Sequence, residues 1–138
     1  MKRPKRDSGQ SVAEFAIVLP ILLALLVGIF EFGVAWNRKQ VLTNAAREGA
    51  RLAVLPNTFS EAAVNATMDS YLTSAGIAPA DVSRDLEMCS VPCTGDTVTI
   101  ELTMNHTMPF ISSIAGLLSA SPTAGAVTLT SVVNMRHE

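Results

Sequence analysis

The sequence predicts an α+β protein in which a long N-terminal helix precedes a small domain with a second helix and a three- or four-stranded antiparallel sheet. Residues 15–30 carry no charge, and no proline lies between Pro20 and Pro56, where we expect the long helix to stop. Further along, apolar and polar residues alternate over 97–104 and again over 127–135, as in half-buried strands. Helices and strands are thus segregated along the chain rather than alternating, which favours the α+β class.

The composition excludes several classes of protein. The 138 residues allow one domain of ordinary size. An apolar fraction of 49%, only 16% charged residues and a mean hydropathy of +0.35 exclude a disordered acidic or basic chain. The net charge of -2, without a basic and aromatic patch, excludes a nucleic-acid partner. The sequence contains no phosphate-binding loop, His-x-x-x-His or Gly-x-Ser-x-Gly motif, so we expect no enzyme, cofactor or metal.

The N-terminal part has the charge pattern of a single membrane span. Four of the ten basic residues lie among the first six positions, and the apolar run FAIVLPILLALLVGIF follows soon after. Extended to Ala35, the run has 21 residues, which as a helix span about 31 Å, one bilayer core. The positive-inside rule places the basic tip in the cytoplasm and the C-terminal part outside. The alternatives are a buried core helix and a secretory signal cut after Ala35.

A short motif stands where the basic tip meets the apolar run: Gly9, four residues, then Glu14 and Phe15. An acidic residue costs free energy inside a membrane, so Glu14 predicts a positive partner, such as an α-amino group created one helical turn earlier at Gln10. The alternative is that Glu14 lies in the headgroup region and has no role. The second acid, Glu31, lies about 100° away around the helix, so it cannot share a partner with Glu14 on one face. It either contacts a different subunit or extends to the outer membrane interface.

The Gly9-x4-Glu14-Phe15 motif at the edge of an apolar helix resembles the processing site of type IV prepilins and pseudopilins. The stretch that follows, EFAIVLPILLALLVGIFEFGVAWNRKQVLTNAAREGARLAV, resembles TadE-like proteins, which are minor pseudopilins of the tight-adherence (Flp pilus) system. The resemblance covers residues 9–55, about a third of the chain, and it implies a pilin-like fold.

This resemblance implies a structural role in the assembly of adhesive Tad pili. A prepilin peptidase would cut after Gly9 and leave the apolar helix on the mature protein, in the cytoplasmic (inner) membrane and then in the pilus. Glu14 would pair with the N-terminus of a neighbouring subunit. The partners implied are the peptidase, other pilin or pseudopilin subunits, the pilus assembly platform and the lipid bilayer. The rival interpretation is an uncut, permanently anchored adaptor or binding module of a secretion or envelope complex.

The chain is predicted to divide into a basic leader (1–9), a membrane helix that continues as a stalk (10–55) and an extracytoplasmic α+β domain (57–138). Small residues at helical spacing form a stripe on the stalk, and such a stripe allows another backbone to approach closely. Its central members are Ala45, Ala46 and Gly49. They pack either against the chain's own outer domain or against another subunit.

The outer domain is predicted to begin with a second helix. Ser60 is a suitable cap, and Gly76 ends the helix. Apolar side chains at helical spacing, Val64, Met68 and Leu72, form its buried face. Three strands follow, at 82–88, 97–104 and 127–135, whereas 109–118 is a short helix or a loop over the sheet.

The two cysteines, Cys89 and Cys93, enclose three residues. In an extracytoplasmic domain we expect a disulfide between them, worth about 2 kcal/mol through loop closure. A redox pair, or a metal site with His106, is the alternative. Redox motifs favour two intervening residues, and a zinc site lacks a fourth ligand.

Overall fold

The computed structural model describes residues 7–55, 60–87, 97–118 and 125–136. In chain order its elements are α1 (Asp7–Ala53), α2 (Glu61–Ser74), a 3-10 turn (Pro79–Asp81), β1 (Val82–Glu87), β2 (Thr97–Thr107), α3 (Pro109–Leu118) and β3 (Ala126–Arg136). The predicted α+β class is confirmed, with a three-stranded sheet. α1 ends at Ala53, just before Pro56 in the sequence. Residues 1–6, Pro56, Cys89 and Cys93 lie outside the described residues, so the disulfide stays a prediction.

α1 is a single helix of 47 residues that carries Pro20 in its interior. From residue 9 to residue 30 no side chain is buried by the rest of the protein. Within the described ranges, α1 is the one helix long and apolar enough to cross a membrane, and 0% of its most apolar window is buried. A helix that is apolar on every side and uncovered fits a single membrane span rather than a core helix.

α2 has the start and the end that the sequence predicts. The Oγ of Ser60 accepts a hydrogen bond from the backbone N–H of Ala63 at 3.1 Å. Gly76 follows the helix with a φ of 74°, a conformation that favours glycine. One face of α2 is fully buried in the core through Val64, Met68 and Leu72.

The sheet has the order β1-β2-β3, and both neighbouring pairs are antiparallel. All three predicted strands are confirmed. The apolar side chains of the central strand are buried, as the alternation predicts: Val98, Ile100, Leu102 and Met104. In β3, Ser131 interrupts the apolar set, and its hydroxyl donates a hydrogen bond to Oγ1 of Thr43 at 3.0 Å. The segment 109–118, for which a helix and a loop were both open, is a helix.

β2 runs along α1 towards the membrane half of that helix. Near the start of β2, Ile100 lies beside Gly49, whereas near its end His106 contacts Arg38. Residue numbers therefore fall along α1 as they rise along β2. The end of the sheet where β2 stops and β3 begins is consequently the end nearest to the predicted span.

The small-residue stripe of α1 lies in the centre of the core. Ala45 and Ala46 are 0% exposed and belong to the same buried cluster as the inward faces of α2 and the sheet. A Cβ atom on Gly49 would lie 2.7 Å from Sδ and 2.8 Å from Cγ of Met68. Of the two alternatives for the stripe, packing against the chain's own outer domain is the one that this structure contains.

Gly49→Val is expected to destabilise the outer domain by about 1–3 kcal/mol, because the added side chain overpacks the contact with Met68. The free energy of unfolding can be measured by pulse proteolysis in urea on protein held in detergent micelles. Gly33→Val is the matched control, since a Cβ atom on Gly33 meets nothing within 4 Å. Equal stability of the two variants would contradict the packing role of Gly49.

Candidate functional site

The carboxylate of Glu31 joins α1 to α3. The side chain is only 9% exposed, although it stands in the apolar half of α1. Its Oε1 accepts a hydrogen bond from the backbone N–H of Phe110 at 2.6 Å, and its Oε2 accepts one from Ile111 at 3.1 Å. Both N–H groups belong to the first turn of α3, so Glu31 caps a helix that lies 79 residues away in the sequence.

The local sequence explains why α3 is capped by a residue from another helix. Pro109 begins α3 and has no N–H group, so Phe110 and Ile111 present the first unpaired donors. Met108, which precedes the helix, has no side-chain oxygen that could accept them. The positive end of the helix dipole also favours a carboxylate at this position. Within the helix, the first hydrogen bond runs from the N–H of Ser112 to the carbonyl of Met108 at 2.8 Å.

Arg38 and His106 form a second polar contact, two turns further along α1. Nη1 of Arg38 lies 3.0 Å from Nδ1 of His106. A guanidinium can only donate, so Nδ1 accepts, and the imidazole is neutral with its proton on Nε2. His106 is buried in β2, where it pairs with Val127 of β3.

Burial and two neighbouring charges determine the protonation of His106. Burial has the largest effect and lowers the pKa of His106, and the positive Arg38 lowers it further. The negative Glu31 acts in the opposite direction and raises this pKa, but it does not reverse the shift. The pKa of His106 therefore lies below its ordinary value of about 6.5, and the neutral ring is the form present at neutral pH.

An open groove of about 550 Å³ lies beside these two contacts, where α1, β2 and α3 meet. Its walls combine Glu31, Arg38 and His106 with apolar residues such as Val27 and Val34. In the part of the chain that the structure describes, no group of three or more His, Cys, Asp or Glu residues could hold a metal ion. The side chains of Glu31, Arg38 and His106 are engaged with other groups of the protein, and they hold the three elements together.

The predicted processing segment lies at the opposite end of α1, in the first turns of the helix. Gly9, Gln10, Glu14 and Phe15 are all exposed. Nε2 of Gln10 donates a hydrogen bond to Oε1 of Glu14 at 3.1 Å. A Cβ atom on Gly9 would meet nothing within 4 Å. This segment is therefore open to lipid or to another protein.

The five candidates for subunit packing differ in burial within this chain. Glu14 is exposed, as a contact with another subunit requires. Ala45, Ala46 and Gly49 are buried inside the chain's own core. Glu31 is buried as well, and its carboxylate binds α3 of the same chain, a partner that was not among the alternatives considered for it. The contacts of all five residues with another subunit stay predictions.

Sequence reasoning missed the contacts of Glu31 with α3 and of Arg38 with His106. Each contact joins positions far apart in the chain, so no local pattern encodes it. One signal was available: the segment that begins at Met108-Pro109 lacks a capping side chain of its own. A helix at 109–118 therefore required an acceptor from elsewhere.

Glu31→Gln is expected to loosen the start of α3. The amide retains one acceptor oxygen but turns an NH2 group towards the second backbone N–H, and losing a hydrogen bond to a charged group costs about 1.5–3 kcal/mol. Hydrogen exchange of the amides of Phe110 and Ile111 should accelerate by about tenfold or more. Glu48→Gln, which changes an exposed acid of the same helix, is the control. Unchanged exchange at both amides in Glu31→Gln would contradict the capping role.

The stability of the outer domain is expected to fall as the pH drops below about 6.5. Since folding lowers the pKa of His106, the unfolded chain binds the proton first, and the contribution is fully present above 6.5 and is lost towards the folded-state pKa. His106→Gln should remove this part of the pH dependence, whereas His137→Gln, which changes the other histidine, should retain it. Pulse proteolysis in urea between about pH 5 and 8 measures the difference. Identical profiles for wild type and His106→Gln would refute the assignment.

The model of the TadE-like protein family matches residues 9–51. The match begins at Gly9, includes the whole apolar run and ends in the stalk, so the resemblance predicted from the sequence is confirmed over these residues. No curated protein and no solved structure matches the chain. The chain is therefore TadE-like over residues 9–51, and this likeness indicates a membrane protein associated with the Tad pilus.

Proposed function

We propose that this chain is a minor pseudopilin-like subunit that takes part in the assembly of Tad (Flp) type IV pili after cleavage following Gly9. One observation carries the proposal: the family match begins at the Gly9-x4-Glu14-Phe15 motif, and the apolar helix behind that motif is left uncovered by the rest of the chain. The role is structural. The chain supplies a membrane helix and an outer domain, and the peptidase supplies the chemistry.

The accessibility of the Gly9–Gln10 bond supports cleavage by a prepilin peptidase. The bond lies in the first turn of α1, which begins at Asp7, and the ends of helices fray readily. Gly9 has no side chain and is surrounded by open space. A peptidase in the membrane therefore has to unwind one turn of helix, and no part of a folded domain, to reach the bond.

The surroundings of Glu14 support a partner from outside the chain. Its exposed carboxylate accepts a hydrogen bond from a neutral amide, that of Gln10. At the edge of a membrane a carboxylate is stabilised more strongly by a positive charge than by an amide. In our proposal the new α-amino group at Gln10 of a neighbouring subunit supplies that charge. The pair would then determine the axial offset between adjacent subunits.

The distribution of burial along α1 limits the residues that contact other subunits. The stripe centred on Ala45, Ala46 and Gly49 already packs against α2 and the sheet, so a second helix could occupy it only by displacing the outer domain. None of the apolar side chains of residues 15–30 is buried, and most of them are exposed. We therefore assign the lateral contacts with pilin or pseudopilin helices, and with the assembly platform, to the membrane half of α1.

In the proposed orientation, the basic leader lies in the cytoplasm, α1 crosses the inner membrane and the outer domain lies on the other side. Cys89 and Cys93 are then in a compartment where a disulfide between them persists. After assembly the subunit is part of the pilus or of its base.

Gly9→Ala is expected to abolish processing and piliation when it is the only copy of the protein. Its methyl group adds bulk where the peptidase must bind the chain next to the cleaved bond. The measurements are intact mass and N-terminal peptide mapping of the protein from its native membrane, together with a count of pili. Gly33→Ala is the matched control, because it makes the same change in the same helix at another position with open space around it.

Wild type and Gly33→Ala should both begin at Gln10 and retain the apolar helix, whereas Gly9→Ala should begin at Met1. Normal pili built from uncut Gly9→Ala protein would contradict the mechanism. A wild-type N-terminus at Met1, in cells with an active prepilin peptidase, would instead favour the permanently anchored adaptor.

A further inference from the structure

We infer that α3 is a second membrane contact: a short helix that enters the outer leaflet beside α1, so that lipid covers its exposed face. This inference rests on the membrane span of α1 and is independent of cleavage after Gly9. It makes the outer domain a body attached to the bilayer at two points, the span itself and α3.

The position of α3 along α1 is fixed by Glu31. The predicted span ends at Ala35, four residues beyond Glu31, so the backbone of Glu31 lies about 6 Å inside the outer boundary of the hydrocarbon core. Its carboxylate holds the N–H groups of Phe110 and Ile111 at 2.6 and 3.1 Å. Helix side chains also lean towards the N-terminus, which here is the direction of the membrane interior. The first turn of α3 therefore lies at the depth of the outer leaflet.

The chain enters and leaves α3 at the same end of the sheet. The N–H of Met108, just after β2, donates to the carbonyl of Gly125, just before β3, at 2.9 Å. Gly125 has a φ of 93°, and a Cβ atom there would lie 2.5 Å from Cα of Ser112. Glycine therefore allows the chain to return against the first turn of α3. The whole junction is close to the membrane end of the outer domain.

Charged residues are missing from the part of the chain that contains this junction. From residue 102 to residue 135, which includes the end of β2, α3 and most of β3, the sequence has no Asp, Glu, Lys or Arg. β1 is different, since its six residues include Arg84, Asp85 and Glu87. These three residues pair with residues 99–102 of β2, so they lie further from the junction than the end of β2 at residue 107. Charge at that level and none in α3 is the segregation expected when one end of a domain contacts a membrane.

The polar groups in the first turn of α3 are satisfied by other groups of the protein. Oγ of Ser112 and Oγ of Ser113 donate to the carbonyl of Pro109 at 2.8 and 2.7 Å. The N–H groups of Phe110 and Ile111 are bound by Glu31. In lipid each unpaired polar group costs several kcal/mol, and these contacts remove that cost for the first turn.

Two large apolar side chains are exposed on α3, and they adjoin a surface of α1 that lies in lipid. Ile111 is 36% and Ile114 39% exposed, three residues apart on one face of the helix. On α1, Phe30 and Phe32 flank Glu31 and are exposed at the same depth in the membrane as the first turn of α3. Trp36 lies further out, where interfacial aromatic residues are common. The exposed face of α3 adjoins the lipid-facing surface of α1 and lies at the same depth in the membrane, so lipid covers both.

Depth-dependent quenching of a single tryptophan tests the inference. Trp36 is the only tryptophan of the chain, so Trp36→Phe provides a silent background for the full-length protein. Ile114→Trp then places a probe on α3. Tyr71→Trp is the matched control, because Tyr71 is a helical residue of similar exposure, 38%, on α2. Both proteins are reconstituted at low density in phosphatidylcholine and phosphatidylglycerol vesicles, with and without brominated acyl chains, and Ile111→Trp serves as a second probe on α3.

We expect blue-shifted emission and loss of intensity in brominated lipid for the two α3 probes, and neither effect for Tyr71→Trp. Emission from α3 like that of a tryptophan in water would overturn the inference. So would blue-shifted emission that brominated lipid does not quench, since a protein surface, such as a second copy of the chain, would then cover α3. Processing at Gly9 affects none of these readings, so the inference and the proposed function can fail separately.

Discussion

The outer domain depends on a close approach to the backbone of α1 along its stripe of small residues. Ala45 and Ala46 have one-carbon side chains and Gly49 has none, so α2 and the sheet can both pack directly on the helix. Met68 from α2 and Ile100 from β2 fill the space above the stripe. The predicted membrane helix is thereby also the centre of the core. A three-stranded sheet and one short helix would bury little apolar surface without it.

The elements that could be predicted from the sequence are those whose residue pattern lies within the element itself. The alternation in β2 and the helical spacing in α2 identify their buried faces directly, because a strand has a period of two residues and a helix one of 3.6. Ser60 and Gly76 mark the ends of α2 in the same local way. Ser131 interrupts the pattern of β3, and its partner, Thr43, stands 88 residues away. The strand could therefore be predicted, but the reason for its polar position could not.

The polar contacts at the junction of α1 and α3 were beyond local patterns for the same reason. Glu31 and Phe110 are 79 residues apart, and Arg38 and His106 are 68 apart. Helical geometry gives the face on which Glu31 stands, but not what covers that face. Once α1 is taken as a membrane helix, an acid near its outer end suggests the interface or another subunit. The unpaired N–H groups of α3 are a third partner, and only the tertiary structure brings them to Glu31.

One half of α1 faces lipid and the other half packs against α2 and the sheet, and this division constrains how such a subunit could leave the bilayer. The bonds between Glu31 and α3 are internal, so α3 moves with α1, and both would lose their lipid together. Withdrawing apolar surface from lipid into water is unfavourable, so the partner in a filament must cover both surfaces. A neighbouring helix that packs only on residues 15–30 would leave Ile111 and Ile114 facing water. In the proposed assembly, a subunit enters the filament only where neighbouring subunits extend along α1 as far as Glu31 and cover α3. Without such neighbours the subunit remains in the membrane at the base of the pilus.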